Sequence, residues 1–265
     1  MLDRGFVWFA FGEKYIKASE KLAASIKKHN QYNKVCVITD NHWLQLPNAI
    51  KNVDTVQLCE GTVKGKFDKE WQVFKLSPYT HTIKLEADMI FTQSTDWWWE
   101  HLHQWDMVHS YDCRNYKDNI IKNTNYRKLF VENSLPNVYS GLTYFRKSII
   151  AIKFYLLCKR ITENWQQVKD KILINCFDLE PTTDVVYALA NKILDPLQVN
   201  KIDYEWFKFL HNKNNVNGLT PVHNNNEFLQ TYKQGDAYYL GGYRLSRLWH
   251  YHEKDTMEKL DAGIL

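Results

Sequence analysis

Residues 6–39 read FVWFAFGEKYIKASEKLAASIKKHNQYNKVCVIT, and this stretch decides the fold class. The continuous apolar run Phe6–Ala10 predicts a buried first strand, and Val35–Thr39 predicts a second. Between them, Glu13–His29 carries apolar residues at helical spacing. Strand, helix and strand with continuously apolar strands indicate a parallel sheet whose two faces are covered.

The remainder of the chain continues this alternation. Further strands are predicted at Val53–Leu58, Thr82–Leu85, Asp106–Tyr111, Tyr139–Phe145 and Arg247–His252. Helices are predicted at Lys69–Leu76, Trp97–His103, Ser148–Ile174 and Pro181–Ile193. Thr95 and Asp96 are expected to cap the helix that begins at Trp97. No repeat and no linker divides the sequence. We therefore expect one α/β domain over residues 1–265, built on a single Rossmann-like, mixed but mostly parallel β-sheet flanked by helices.

Composition narrows the range of functions. Hydrophobic residues make up 45% of the 265 residues, which is enough for the core of one such domain. Aromatic residues reach 15%, so rings remain that can stack on a sugar or a base. The formal net charge of +4 is compatible with an anionic ligand such as a nucleotide diphosphate, but it falls short of the strong basic bias of a dedicated nucleic-acid binder.

The cysteines and the apolar segments indicate the cellular compartment in which the protein is expected. The 5 cysteines are widely spaced and form no C-x-x-C pair, so neither a disulfide framework nor a zinc site is indicated, and we expect a reducing cytoplasm. The first residues do not read as a signal peptide. The most apolar later run, Ser148–Cys158, is interrupted by Lys153 and is too short to span a bilayer, so no membrane span is expected.

Two carboxylates mark the end of one predicted strand. Glu86 and Asp88 are two residues apart, so an extended chain points both side chains to the same side, where they can share one divalent cation. Such a pair can equally be surface charge. Because α/β sheets bind their ligands at the carboxyl ends of the strands, the position favours a metal site.

Three further places carry candidate side chains. His250 and His252 are either ordinary packed histidines or ligands for manganese or a similar ion, with Lys254 near enough in sequence to reach a phosphate. Ser140 and Gly141 offer a hydroxyl and a close backbone approach, or are simply the entry of a strand. Asp184, at a helix start, either complements the helix dipole or accepts hydrogen bonds from sugar hydroxyls.

Five segments in order resemble those of a known family. Phe9–Tyr15 is similar to the first strand and turn of GT-A fold nucleotide-diphospho-sugar transferases, and Leu76–Asp88 is similar to the approach to their Asp-x-Asp motif. Asn137–Phe145 is similar to their Asn-x-Gly strand, Pro181–Asp184 to their acidic helix start, and Leu248–His252 to their late histidine strand. The likeness is especially to the retaining family 8, the glycogenin- and galactosyltransferase-like enzymes, and it covers roughly residues 5–255.

The resemblance implies metal-assisted transfer of a sugar from a nucleotide-diphosphate donor, most readily a UDP-sugar, with retention of configuration. It implies that Glu86, Asp88 and His250 bind Mn²⁺ or Mg²⁺ and that Lys254 contacts the phosphates. It implies that the nucleotide is contacted by Phe9, Ala10, Phe11 and Tyr15, and the sugar by Ser140, Gly141 and Asp184. The implied catalytic residues are Asp88 and Asp184. It also implies a nucleotide-binding part at about residues 1–110 and a part for sugar and acceptor at about residues 111–265.

The sequence departs from the family at three positions. Glu86 stands where the family has the first Asp of Asp-x-Asp, and Tyr139 replaces the Asn before Ser/Ala-Gly. The family's Gly-x-Lys-Pro-Trp after the histidine is reduced to Glu253-Lys254. These departures keep open a second class of function, a non-catalytic module that binds a nucleotide-sugar or a glycan.

The sequence leaves three classes of acceptor open: a glycan, a small molecule or a modified nucleic acid. The segment from Arg114 to Lys128 interleaves cations with rings, as in a nucleic-acid contact or in a solvated surface loop. With a nucleic acid, the enzyme would glycosylate a hydroxymethylated pyrimidine base flipped out of its stack. An oxidoreductase is not supported, because no Gly-x-Gly-x-x-Gly follows the first strand. A nucleotidyltransferase fits the late histidine and Asp184 less well.

Overall fold

A computed structural model describes residues 3–45, 49–65, 67–121, 127–213, 216, 230–253 and 256–261. The strands are β1 (Arg4–Phe9), β2 (Lys34–Thr39), β3 (Thr55–Leu58), β4 (His81–Lys84), β5 (Met89–Ile90), β6 (Met107–Tyr111), β7 (Val138–Arg146), β8 (Leu210–His211), β9 (Tyr232–Gln234), β10 (Ala237–Leu240), β11 (Tyr243–Arg244) and β12 (Trp249–His250). The α-helices are α1 (Glu13–His29), α2 (Val73–Leu76), α3 (Trp98–Leu102), α4 (Lys128–Glu132), α5 (Ile149–Glu163), α6 (Trp165–Lys171), α7 (Thr183–Leu194) and α8 (Thr256–Asp261), and 3-10 helices occupy His42–Gln45 and Glu70–Gln72.

Six strands form the main sheet, in the order β3-β2-β1-β4-β7-β6. Neighbours from β3 to β4 run parallel, while β7 is antiparallel to both β4 and β6. The predicted class, a mixed but mostly parallel sheet flanked by helices, is confirmed. Because Lys84 at the end of β4 pairs with Thr143, the first residues of β7 lie at the carboxyl end of β4.

A second, small sheet has the order β5-β12-β8. Its central strand β12 is antiparallel to β5, with His250 opposite Met89, and parallel to β8, with His250 beside His211. Strand β5 begins directly after Asp88, so the four residues that follow β4 connect the main sheet to the small sheet. Strands β9, β10 and β11 form an antiparallel meander.

Alternate side chains of β1 explain how helices come to cover both faces of the main sheet. Phe6 and Trp8 are fully buried in a cluster that contains the apolar face of α1. Val7 and Phe9 point the other way, into a cluster with residues of α5 and α7. A strand that is buried on both faces needs apolar residues at every position, which is the pattern read in residues 6–10.

Three predicted elements need correction. The helix expected over Ser148–Ile174 is two helices, which separate at Asn164, where the side-chain amide bonds to Arg160 O at 2.8 Å. Thr95 does not cap α3 through its side chain, because its hydroxyl bonds to Asn30 Oδ1 at 3.2 Å and Trp97 occupies the N-cap. The late strand is limited to Trp249–His250, since the chain turns at His252 with a φ of 62°.

All five cysteines are free, as predicted. Among the helices of the described residues, none has both the length and the apolar character needed to cross a membrane.

A buried hydrogen bond joins β1 to α1 and provides a test of this packing. Trp8 Nε1 donates to Ser19 Oγ at 2.8 Å, and both residues are fully buried. We expect Ser19→Ala to lower the free energy of unfolding by about 1–3 kcal/mol, because the indole N–H is left buried without its acceptor. Urea unfolding measures this loss. Ser246→Ala, at an exposed position, is the control, and an equal midpoint in the two variants would contradict the packing described.

Candidate functional site

A cleft of about 1130 Å³ opens at the carboxyl ends of β1 and β4 and at the beginning of β7. Nine of the residues to which the resemblance assigns a role line this cleft, as does His252; the nine are Phe9, Phe11, Tyr15, Glu86, Asp88, Ser140, Gly141, Asp184 and His250. Ala10 is fully buried in the core below the cleft. Lys254 lies outside the described residues. The structure therefore brings together segments that are far apart in sequence, at the sheet edge where ligands are expected.

Glu86, Asp88 and His250 form what we call the candidate metal triad. His250 Nε2 lies 3.0 Å from Asp88 Oδ2 and 3.2 Å from Glu86 Oε2. One ligand atom from each residue falls within 4.8 Å of the others. Adjacent ligands of a six-coordinate ion with bonds of about 2.1 Å are roughly 3 Å apart, so these spacings suit a cation such as Mg²⁺. Two carboxylates and one imidazole also suit Mn²⁺.

Hydrogen bonds of the small sheet hold this triad together. Asp88 immediately precedes β5, and its carbonyl oxygen accepts a hydrogen bond from Tyr251 N at 3.2 Å. Because β5 pairs with β12, the imidazole of His250 faces the Asp88 carboxylate, although the two residues are 162 positions apart. Both side chains are buried. The backbone pairing therefore fixes two of the three candidate ligands.

Glu86 is the third candidate ligand, and it lies between opposing charges. Burial raises the pKa of its carboxyl group, while the charges of His250 and Lys84 lower it in part. The neighbouring carboxylates of Asp88 and Asp184 raise it further. Bringing a cation to this position would relieve the repulsion among these acids.

Gly141 allows β7 to approach Glu86 closely. A Cβ placed on Gly141 would lie 3.1 Å from Glu86 Cδ and 3.1 Å from Met89 Cε. Both distances are tighter than ordinary contacts, so any larger residue here would displace the Glu86 carboxylate. The predicted close approach at Gly141 is thus toward a candidate metal ligand.

Asp184 is held by donors from two directions. Its Oδ1 accepts hydrogen bonds from Ser140 N at 2.8 Å and Ser140 Oγ at 2.7 Å, and its Oδ2 pairs with Arg127 at 2.5 Å. Burial alone would raise the pKa of Asp184, but the Arg127 charge and the Ser140 hydrogen bonds outweigh it and hold that pKa below its usual value. Asp184 therefore stays ionised and ties the start of α7 to the start of β7.

Arg127 is a cleft residue whose role the sequence did not indicate. Its guanidinium lies over the rings of Phe130 and Tyr139, 3.7 Å and 4.1 Å from their centroids, and it donates to Asn137 Oδ1 at 3.0 Å. It also donates to Val138 O and is 7% exposed. The ring of Tyr139, one of the departures from the family pattern, thus supports a buried cation.

Lys84 is a second buried cation that was missed. It is 1% exposed, pairs with Glu70 at 2.7 Å and donates to Ser140 O at 3.2 Å. Burial alone would lower its pKa, but the charges of Glu70 and Glu86 outweigh this and raise it. The signal available in the sequence was a lysine inside the apolar strand Thr82–Leu85, since a buried lysine needs an anionic partner.

Aromatic side chains line the part of the cleft next to β1 and the start of α1. The rings of Phe9 and Phe11 are 5.7 Å apart, and Tyr15 follows on the first turn of α1. Gly12 connects β1 to this helix with a φ of 82°, a conformation that glycine adopts readily. The turn keeps Phe11 and Tyr15 on the cleft side, where a flat base can pack.

In the described part of the basic segment that begins at Arg114, the cations contact acidic or aromatic side chains of this chain. Arg114 pairs with Glu205 and with Asp118. Lys117 lies over the rings of Tyr116 and Tyr243 at 5.5 Å and 5.4 Å. Residues 122–126 lie outside the described residues. These contacts give no specific support to a nucleic-acid interface.

Comparison with known proteins does not identify a family for this chain. No protein-family model matches the chain, and no curated protein matches it. One similar solved structure is that of the galactosyltransferase LgtC in complex with donor and acceptor sugar analogs, with a TM-score of 0.46 and 8% sequence identity. The similarity covers 64% of this chain and 66% of LgtC, just under two thirds of its length. A similarity this low does not transfer an activity.

The close approach at Gly141 yields a prediction about the triad. We expect Gly141→Ala to weaken Mn²⁺ binding by about tenfold or more, because the added methyl group displaces the Glu86 carboxylate from the shared position. The unfolding midpoint should change little, since flexible side-chain ends can give way. Isothermal titration with MnCl₂ measures the affinity. Unchanged affinity in a folded variant would show that the added methyl group does not displace the Glu86 carboxylate.

The pairing of Asp184 yields a prediction about pH. A carboxyl group with a pKa lowered by folding contributes stability that is full above its unfolded value of about 4 and is lost as the pH falls through the folded value. We expect Asp184→Asn to be less stable than wild type at pH 7, and the gap to close below pH of about 4. Urea unfolding at several pH values measures it. A gap independent of pH would show that charge is not the cause.

Proposed function

We propose that this protein is a metal-dependent glycosyltransferase that uses a nucleotide-diphospho-sugar, most readily a UDP-sugar, as donor. The observation that carries the proposal is the convergence of Glu86, Asp88 and His250 on one position at the wall of the cleft. The aromatic side chains that follow from β1 suit a nucleotide base, and the hydrogen-bonding groups at the beginning of β7 suit a sugar.

Each part of the cleft then has a role. A divalent ion, Mn²⁺ or Mg²⁺, held by the candidate metal triad would neutralise the donor diphosphate and favour its departure. Phe9, Phe11 and Tyr15 pack against the base, with Ala10 shaping the strand beneath them. Lys254, which lies outside the described residues, keeps the role that the resemblance implies, contact with the phosphates.

The sugar lies against the beginning of β7. Ser140 and Gly141 form that wall, and Asp184 faces the cleft beside them. A carboxylate has about four acceptor positions, and Ser140 and Arg127 use three of those of Asp184. The remaining one can accept a hydroxyl group of the sugar. In this arrangement Asp184 orients the sugar while Asp88 binds the metal.

Three wider proposals accompany this reaction. Residues 1–265 act as one domain, with the nucleotide bound at about residues 1–110 and the sugar and acceptor at about residues 111–265. The anomeric configuration is retained, as in the family that the sequence resembles. The protein works in the cytoplasm, which suits its five free cysteines.

A non-catalytic binder of nucleotide-sugars is the second candidate. The observation that favours it is the contact of Tyr139 with Arg127, because the ring occupies the place where the family has an amide for the sugar. Donor hydrolysis separates the two functions. A transferase leaks some sugar to water when no acceptor is present, whereas a binder releases the donor intact.

The test of the proposed site uses an isosteric substitution. We expect Asp88→Asn to abolish the enhancement of UDP binding by Mn²⁺, weakening binding in the presence of the metal at least about tenfold, because the amide lacks the negative charge with which a carboxylate holds a divalent ion. Isothermal titration with UDP, with and without MnCl₂, measures the effect. Asp236→Asn is the control, since Asp236 is exposed and pairs with Lys28. Metal-enhanced binding that survives in the Asp88 variant would refute the assignment.

A further inference from the structure

A second histidine contacts the candidate metal triad. His211 on β8 lies beside His250 on β12, and the two rings are 4.7 Å apart at their centroids. Their Nδ1 atoms are separated by 2.9 Å, a hydrogen-bond distance, and both residues are buried. The backbone keeps them in register, because Asn212 N donates to His250 O at 2.9 Å.

This contact restricts where the protons can be. A hydrogen bond between two Nδ1 atoms needs one donor and one acceptor, so the two rings cannot both carry a proton there. If His211 donates, the neutral His250 ring carries its proton on Nε2, and that N–H points to Asp88 Oδ2 at 3.0 Å. If His250 donates, its Nε2 presents a lone pair toward the two carboxylates. With a further proton on Nε2, His250 in this second arrangement is the cation that pairs with Asp88 and Glu86.

A cation distinguishes these two arrangements. A metal ligand must offer a lone pair, so a bound ion requires the arrangement in which His250 carries its proton on Nδ1. That proton then needs a buried acceptor, and His211 Nδ1 lies 2.9 Å away. Metal-binding histidines usually donate their second N–H to a carboxylate, a carbonyl or water, and here the partner is another imidazole.

We propose, on the basis of the proposed metal-dependent function, that His211 is a positioning residue for His250. It accepts the Nδ1 proton of His250 when a divalent ion is bound, and so directs the Nε2 lone pair to the ion. In the loaded state His250 carries its proton on Nδ1, and His211 carries its proton on Nε2.

The direct test is nitrogen NMR of protein labelled with ¹⁵N-histidine, with and without Mg²⁺, which is diamagnetic. The signals of the two rings are assigned by comparison with the His211→Asn variant. In the loaded protein we expect His250 to be protonated at Nδ1 and His211 at Nε2. A loaded protein in which His211 carries the Nδ1 proton overturns the inference and leaves the metal site intact. No response of any histidine to Mg²⁺ or Mn²⁺ overturns both the inference and the proposed metal site.

A pair of variants tests the same inference through affinity. The amide oxygen of Asn occupies the position of the histidine Nδ1 and is an acceptor, whereas Leu offers none. We expect His211→Leu to weaken Mn²⁺ binding about 10- to 100-fold and His211→Asn to keep it within about threefold of wild type. The electron paramagnetic resonance signal of free Mn²⁺ measures this. Equal losses in both variants would show a role in packing only, and if the Leu variant does not fold, the NMR result decides.

Discussion

Electrostatic repulsion among Glu86, Asp88 and Asp184 is the constraint on which the rest of the site depends. All three carboxylates line the same cleft, and the charges of the two aspartates add to the raised pKa of Glu86. Like charges in a partly buried place are costly unless cations accompany them. The fold meets this cost in part with the fixed side chains of Arg127, Lys84 and His250, and a cation bound by Glu86 and Asp88 would reduce it further.

The two fixed cations act differently. Arg127 holds Asp184 with a planar guanidinium that lies over the rings of Phe130 and Tyr139, and these contacts restrict its orientation. Lys84 lies below the cleft, where its ammonium group joins Glu70 to the carbonyl oxygen of Ser140. Both cations contact the beginning of β7. The strand that forms the wall of the proposed sugar pocket is therefore anchored by charge as well as by its pairing with β4 and β6.

Much of this fold was predictable because it follows from local patterns. Helix α1 has the predicted bounds, and the central strands follow from uninterrupted apolar runs. The candidate metal triad was also predicted, since its carboxylates follow a strand and its histidine belongs to a family pattern. Lys84, Arg127 and His211 were not, because their roles depend on partners that only the tertiary structure brings near. The two-residue strands β5 and β8 were not predicted for a related reason, as they are too short to show a period.

The small sheet explains why two of the triad's residues come from such distant parts of the chain. Glu86 belongs to the edge of the main sheet, where Gly141 limits its position, while His250 belongs to the small sheet. Asp88 connects the two, since it ends the link that leads from β4 to β5. A cation held by all three would therefore bind the two sheets to each other as well as binding a diphosphate. In that case the ion has a structural effect, and the mutual position of the two sheets tightens when the metal is bound.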